Sequence, residues 1–334
     1  MQTQSILWTK LLGSTTHDIG RKVATDLNNN VYMTGYTLGD IDGNTNQGLY
    51  DLFLTKYDSD GNTQWTQMLG SISSERTYGI AIDSNNNVYI SGIAESDLDG
   101  NTNQGENDVF LTKYDSDGNK QWTQMLGTTD NDYNHQMAID SNNNVYVNGY
   151  TQGDLDGNTN QGETDAFLTK YDSDGNKQWT QMLGTTDIDE SHGVATDSNN
   201  NVYITGYTRS DLDGNTNQGG YDAFLTKYDS EGAKRWTQTL GTNQRDISYG
   251  VAIDSNNSIY ITGYTRGDLD GNTNQGLYDS FLTKYDSEGD KKWTQMLGSN
   301  NFDESHGVAT DSNNNVYITG YTRSDLDGNT NQGG

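Results

Sequence analysis

Oxygen-bearing side chains recur at fixed spacing along this chain and define its first candidate chemistry. The motif Asp-x-Asp-Gly-Asn-x-Asn-x-Gly-x-x-Asp occurs five times. It supplies Asp40, Asp42, Asn44, Asn46 and Asp51; Asp97, Asp99, Asn101, Asn103 and Asp108; Asp154, Asp156, Asn158, Asn160 and Asp165; Asp211, Asp213, Asn215, Asn217 and Asp222; and Asp268, Asp270, Asn272, Asn274 and Asp279. A sixth copy has Asp325 and Asp327 and stops before its last acid. Oxygen ligands at positions 1, 3, 5, 7 and 12 are what a wrapping Ca²⁺ loop offers, so calcium is a candidate cofactor. The spacing departs from an EF-hand: glycine stands at position 4 instead of 6, and a short Asp replaces the bidentate Glu at 12. Magnesium suits a long loop less well, because it demands strict octahedral geometry. The competing reading is turn chemistry, in which Asx side chains bond their own backbone.

A second recurrent set pairs an acid with a variable residue three positions on. The acids are Asp18, Glu75, Asp132, Asp189, Asp246 and Asp303; the variable residues are Arg21, Tyr78, His135, His192, Tyr249 and His306. Guanidinium, phenol and imidazole groups could contact a ligand, and the histidines could hold a metal. The alternative is that the acids cap their link by accepting backbone N–H groups while the variable residues stay exposed. Catalysis needs distinct groups that converge, whereas near-identical copies offer several weak versions of one group. The sequence shows no Ser-His-Asp spacing, phosphate loop or HExxH motif. A non-enzyme is expected, with a lyase or lactonase using His135, His192 and His306 as the alternative.

The elements that carry these residues repeat as well. Trp8, Trp65, Trp122, Trp179, Trp236 and Trp293 are spaced 57 residues apart. One copy reads as four short strands: Gly193–Asp197, Asn201–Tyr207, Ala223–Tyr228 and Lys234–Leu240. Asn-rich and Asp-Ser-Glu-Gly turns close the first–second and third–fourth pairs as hairpins. The calcium candidates fall in the longer second–third loop, and the acid set in the fourth–first link. Such units cannot bury their apolar faces alone and must stack. Four-stranded antiparallel sheets in six copies predict an all-β, six-bladed β-propeller over residues 1–334, with an incomplete last blade. If the first strand is innermost, the acid and variable sets circle one mouth of a central channel. Aromatics such as Tyr203, Phe224 and Trp236 are expected to pack between blades. Lys227 and its equivalents are expected to reach a carboxylate or the surface.

The run Asp-Ala-Phe-Leu-Thr-Lys-Tyr-Asp-Ser-Asp-Gly-Asn-Lys-Gln-Trp (165–179), with Gly193-Val-Ala and Asn201-Val-Tyr-Ile-Thr-Gly-Tyr207, resembles the bacterial SBBP β-propeller repeat. The strand order is also similar to NHL-type propellers. The resemblance implies the fold and an extracellular or cell-surface setting, and it implies no reaction. The ends depart from a whole number of blades. Ile6–Leu11 reads as a fourth strand, Val316–Tyr321 as a second strand, and only five third strands exist, starting at Phe53, Phe110, Phe167, Phe224 and Phe281. Either the chain is cut from a longer protein, or another copy supplies the missing strand, or the last blade is three-stranded; self-association through the incomplete blade is the expectation under the second of these.

Composition limits the partners. The net charge of -28 repels nucleic acid and anionic membranes. No apolar run is long enough to span a bilayer, no signal peptide is evident, and no cysteine offers a disulfide or thiolate site. A multivalent binding or structural module fits best, meeting a protein or polysaccharide surface through linked weak sites. A glycan-binding lectin is one alternative, with Tyr36, Tyr150, Tyr207, Tyr264 and Tyr321 as stacking platforms; Ile93 breaks that series.

Overall fold

The hairpin turns form because one aspartate in each holds the loop. Asp197 accepts the backbone N–H groups of Asn199 and Asn201, both at 2.9 Å, and the Tyr203 hydroxyl at 3.0 Å. Asn200 takes a positive φ of 62°, a conformation Asn tolerates better than most residues. In the next hairpin Asp229 accepts from Glu231 and Ala233, and Gly232 turns the chain with φ 84°.

The computed structural model describes residues 7–332. They form two compact units. The first comprises the described residues up to Ile139 together with Asp172–Asn176. It contains the sheet β1 (Asp18–Thr25), β2 (Val31–Thr37), β3 (Asp51–Tyr57), β4 (Thr63–Leu69) and the sheet β5 (Glu75–Ile82), β6 (Val88–Ala94), β7 (Asp108–Tyr114), β8 (Lys120–Leu126), followed by β9 (Asp132–Ile139). The second unit holds β10 (Val145–Thr151), β11 (Asp165–Tyr171) and β12 (Lys177–Leu183). Next come the sheet β13 (Asp189–Thr196), β14 (Val202–Thr208), β15 (Asp222–Tyr228), β16 (Lys234–Leu240) and the sheet β17 (Asp246–Ile253), β18 (Ile259–Thr265), β19 (Asp279–Tyr285), β20 (Lys291–Leu297). It ends with the two-stranded sheet β21 (Asp303–Thr310), β22 (Val316–Thr322). The sheets are antiparallel in sequence order, and the last copy is incomplete, as the repeat predicts. Among the described residues no helix is long and apolar enough to cross a membrane.

The sequence reading and the structure differ at two places. First strands begin at the acid, four residues earlier than expected, so Asp189 and His192 lie on β13 itself. A bulge hides this start from the alternation pattern: Ser191 pairs with Gly206 and Gly193 with Thr205, leaving His192 as the extra residue. The expected N-terminal strand is the other difference. Ile6 lies outside the described residues, and residues 7–11 make no strand. Trp8 nevertheless makes the contact of its equivalents, donating to the Ser59 carbonyl at 3.0 Å.

Core packing lies between consecutive sheets. In the second unit Tyr203, Ala223, Leu225 and Leu240 meet Ile259, Ile261, Leu269 and Phe281, all 3% exposed or less. Tyr32, Leu52 and Leu54 meet Val88, Ile90 and Phe110 in the same way in the first. Trp236 reaches the next hairpin and donates to the Ser287 carbonyl at 3.4 Å. Lys227 is half-buried: its ammonium lies 5.3 Å from the centre of the Tyr203 ring and donates to the same Ser287 carbonyl at 2.9 Å, while its equivalent Lys284 reaches the Asp254 carboxylate at 4.0 Å. Lys56, Lys113 and Lys170 make the equivalent bond to the next hairpin.

Candidate functional site

The oxygen-rich loops fold as small hairpins. Leu212 and Asn215 exchange both backbone hydrogen bonds, and Asp213 and Gly214 between them take φ of 52° and 80°. That is the two-residue turn an Asp-Gly pair favours. Leu212 is buried and pins the loop. The side chains are then spent on the loop itself. Asp211 accepts the Asn217 N–H at 2.8 Å, and Asp213 accepts the Thr237 hydroxyl at 2.6 Å while pairing with Lys234. Asn215 and Asn217 turn their amide nitrogens inward, donating to the carbonyls of Leu212, Thr237 and Thr208. Asp222 accepts the Gln218 N–H at 2.8 Å.

The same bonds recur with Asp40, Asn44, Asn46 and Asp51, with Asp97, Asn101, Asn103 and Asp108, with Asp154, Asn158, Asn160 and Asp165, and with Asp268, Asn272, Asn274 and Asp279. Asp42, Asp156 and Asp270 accept a threonine hydroxyl, Asp99 pairs with Lys120, and Asp325 accepts the Asn331 N–H. Asp327 takes a positive φ of 47°. Among the described residues, no three carboxylates of these loops come within coordinating reach of one another. The loops do line open grooves. One of about 560 Å³ includes Asp97, Asp99 and Asn103, and one of about 720 Å³ includes Asp325, Asp327 and Asn331.

The second set divides into acids and variable residues with different surroundings. Glu75, Asp132, Asp189, Asp246 and Asp303 are buried, and Asp18 is half-buried. Each accepts the N–H of the residue four positions earlier, at 2.6–2.8 Å, and so closes the link into its strand. Burial pushes the carboxyls of Asp189 and Asp246 up, and that of Glu75 up to about 7.

The variable residues sit at bulges. Arg21, Tyr78, His192, Tyr249 and His306 are each the extra residue of a first strand. His135 lies half-buried on β9. A bulge re-aims one side chain without disturbing its neighbours, which is why substitution is tolerated there. In the second unit the bulge residues form an aromatic ladder. Tyr249 stacks on His306 with centroids 4.6 Å apart and meets His192 edge-on at 5.1 Å. His192 stacks on Tyr207 at 5.4 Å and His306 on Tyr321 at 5.8 Å. Glu190 and Glu304 approach the imidazoles of His192 and His306 at 3.5 Å. Burial and the Glu304 carboxylate push the Tyr249 phenol up to about 12. The first unit presents guanidinium groups on phenols instead. Arg21 lies 5.3 Å from the Tyr78 ring centre and 6.0 Å from that of Tyr36, and Arg76 lies 5.7 Å from that of Tyr50.

Several participants escaped the sequence reading. Glu190 and Glu304 occupy the second position of their strands, where the other copies carry Ile19, Arg76, Tyr133 and Ile247. That variation against a constant background was the available signal. Tyr221 and Tyr278 extend the ladder: Tyr264 stacks on Tyr278 at 4.6 Å, and Arg245 lies 4.4 Å from the Tyr221 ring centre.

Blade-like sheets joined by one repeating core define a β-propeller repeat protein. Residues 7–42, 64–99, 121–156, 178–213, 235–270 and 292–327 match the SBBP β-propeller repeat, together more than half of the chain, and the chain belongs to that family. Among curated proteins it is similar to the regulatory protein FlaEY of Caulobacter vibrioides, 29% identical over 248 residues, covering 64% of this chain and 26% of that protein. It is also similar to an uncharacterized WD repeat-containing protein, L264, of Acanthamoeba polyphaga mimivirus, 24% identical over 431 residues, covering 95% of this chain and 31% of that protein. The chain thus spans about a quarter to a third of the length of these relatives. A solved gluconolactonase, XC5397 of Xanthomonas campestris, aligns over 93% of this chain and 97% of its own with 12% identity and a TM-score of 0.43.

Proposed function

We propose that this chain is a non-enzymatic interaction module that meets a protein partner through the bulge residues of its first strands. One observation carries the reading: copy-variable side chains sit on a constant frame, and His192, Tyr249 and His306 are in contact in one row, edge-on between the first two and stacked between the last two. Tyrosine, histidine and arginine anchors on rigid strands give contact area at little entropic cost. Variation one residue at a time suits recognition of a surface better than catalysis, which needs distinct converging groups. The relatives named as regulatory and WD repeat proteins agree with an interaction role. A glycan partner is the second reading, because the Tyr321 ring is 43% exposed and open to stacking on a sugar face.

Peptide-display selection on the whole chain, with a glycan array in parallel, tests the proposal. Selected peptides are expected to lose at least ~10-fold in affinity on His306→Ala or Tyr249→Ala. Array binding that these variants abolish, with no peptide selected, would transfer the site to a glycan. Ligands that bind both variants unchanged refute the surface.

A further inference from the structure

In a chain of net charge -28, one stretch of the second unit gathers positive charge on aromatic rings. Arg209 and Arg245 both approach the Tyr221 ring, at 5.7 and 4.4 Å from its centre, and Arg266 lies 5.2 Å from that of Tyr278. Backbone bonds fix the arrangement. Tyr221 and Arg245 form a parallel bridge between successive sheets, and the Arg245 carbonyl accepts the Arg266 N–H at 3.0 Å. Arg209 is committed, because it pairs with Asp187 at 3.4 Å. Among the described residues Arg245 and Arg266 pair with no carboxylate, and the buried Nε of Arg245 has no hydrogen-bond partner. Glu190 and Glu304 face His192 and His306 instead. Arg245 also acts on the aromatic ladder. Burial pushes the phenols of Tyr207, Tyr249 and Tyr264 up, and the Arg245 charge opposes that push at all three.

We propose that Arg245, with Arg266 beside it, anchors a carboxylate-bearing segment of a protein partner. This rests on the reading of the ladder as a partner surface and names the charge that the partner brings. A guanidinium held against a ring is restrained before it binds, and a carboxylate is the planar acceptor that its fork of N–H groups matches. Local charge complementarity then selects an acidic segment although the chain as a whole is acidic. The anchor belongs to one copy. Arg245 stands where the other copies carry His17, Ser74, Asn131, Ile188 and Phe302. A ligand that repeats one charged unit would favour the same group in every copy, so a single anchor fits a protein segment better than an acidic polysaccharide.

The test titrates the full chain, at low ionic strength, with a labelled peptide Glu-Ser-Glu-Ser-Glu-Ser and with its counterpart carrying Gln for Glu. The acidic peptide should bind saturably and the Gln peptide at least ~10-fold more weakly. Arg245→Gln should weaken the acidic peptide by a similar factor and leave the Gln peptide unaffected, which is the coupling a direct contact predicts. Arg266→Gln, at an exposed position, should weaken it about 3-fold. Arg235→Gln removes the same charge from β16, where Arg235 pairs with Asp229, and should change nothing. No saturable binding, equal binding of the two peptides, or equal weakening by Arg235→Gln and Arg245→Gln overturns the inference. So does binding of an oligogalacturonate that Arg245→Gln abolishes while the acidic peptide fails to bind. Display-selected peptides that depend on Tyr249 but carry no acid overturn this inference alone and leave the interaction surface standing. Acidic-peptide binding lost with Arg245→Gln but untouched by Tyr249→Ala keeps the anchor and refutes the ladder's part in it.

Discussion

Replacing Asp222 by Asn should stabilise this protein at pH 8. Asp222 is fully buried at the start of β15, packed so tightly on Gly241 that a Cβ there would fall 2.3 Å from its carboxylate. One carboxylate oxygen accepts the Gln218 N–H; the other has no hydrogen-bond partner among the described residues. Burial, with the neighbouring charge of Asp246, pushes the carboxyl from the usual 3.8 to about 6. A displacement of about two units corresponds to roughly 3 kcal/mol at most. The raised value means the folded chain holds the proton more tightly than the unfolded chain. The favourable contribution is therefore complete below about pH 4 and is lost as pH rises through 6. Asn cannot ionise and removes this loss. It also weakens the bond from Gln218, which is charge-assisted at pH 8, by about 1 kcal/mol. A net gain of about 1–2 kcal/mol at pH 8 remains, shrinking to nothing or reversing at pH 4.5. Urea unfolding followed by tryptophan fluorescence at the two pH values measures it. An Asp222→Asn variant destabilised equally at both would show that the acid is held as a structural anion, refuting the argument. Asp165, raised to about 6, and Glu75, raised to about 7, act in the same direction. The unaltered protein should accordingly melt higher at pH 5 than at pH 8.

Two further outcomes follow from the hairpins and loops. Gly232→Ala should cost about 1–3 kcal/mol, because the residue holds φ 84° and its missing Cβ would fall 2.9 Å from the Trp179 ring; thermal melts of the variant check this, and unchanged stability would mean the hairpin is not held by that contact. Calcium added to chelator-treated protein should leave the melting temperature unchanged, since Asn215 and Asn217 point donors inward; a saturable rise would require the loops to rearrange around the ion.

What could be read from the sequence depended on how each residue does its work. The tryptophan spacing and the turn residues act locally, so strand order and the unfinished last copy were legible. Asp-Gly-Asn was legible only as two alternatives. An oxygen ligand and an Asx cap use the same residue types, and only the orientation of the Asn215 amide distinguishes them. The first-strand boundary was missed because a bulge breaks the two-residue alternation, and it breaks it at the copy-variable residues.

That coincidence has a physical basis. In a regular strand a side chain is fixed to one face, and a change from Tyr to His or Arg must be accommodated by the neighbouring sheet. At a bulge the residue is released from the ladder, while the buried acids before it, Asp189, Asp246 and Asp303, keep the link in place through their bonds to Thr185, Thr242 and Ser299. The residues that hold the backbone and those proposed to recognise a partner thereby lie three positions apart on one strand. The acids can stay constant because they hold the backbone. Their bulged neighbours can differ from copy to copy because little of the fold depends on them.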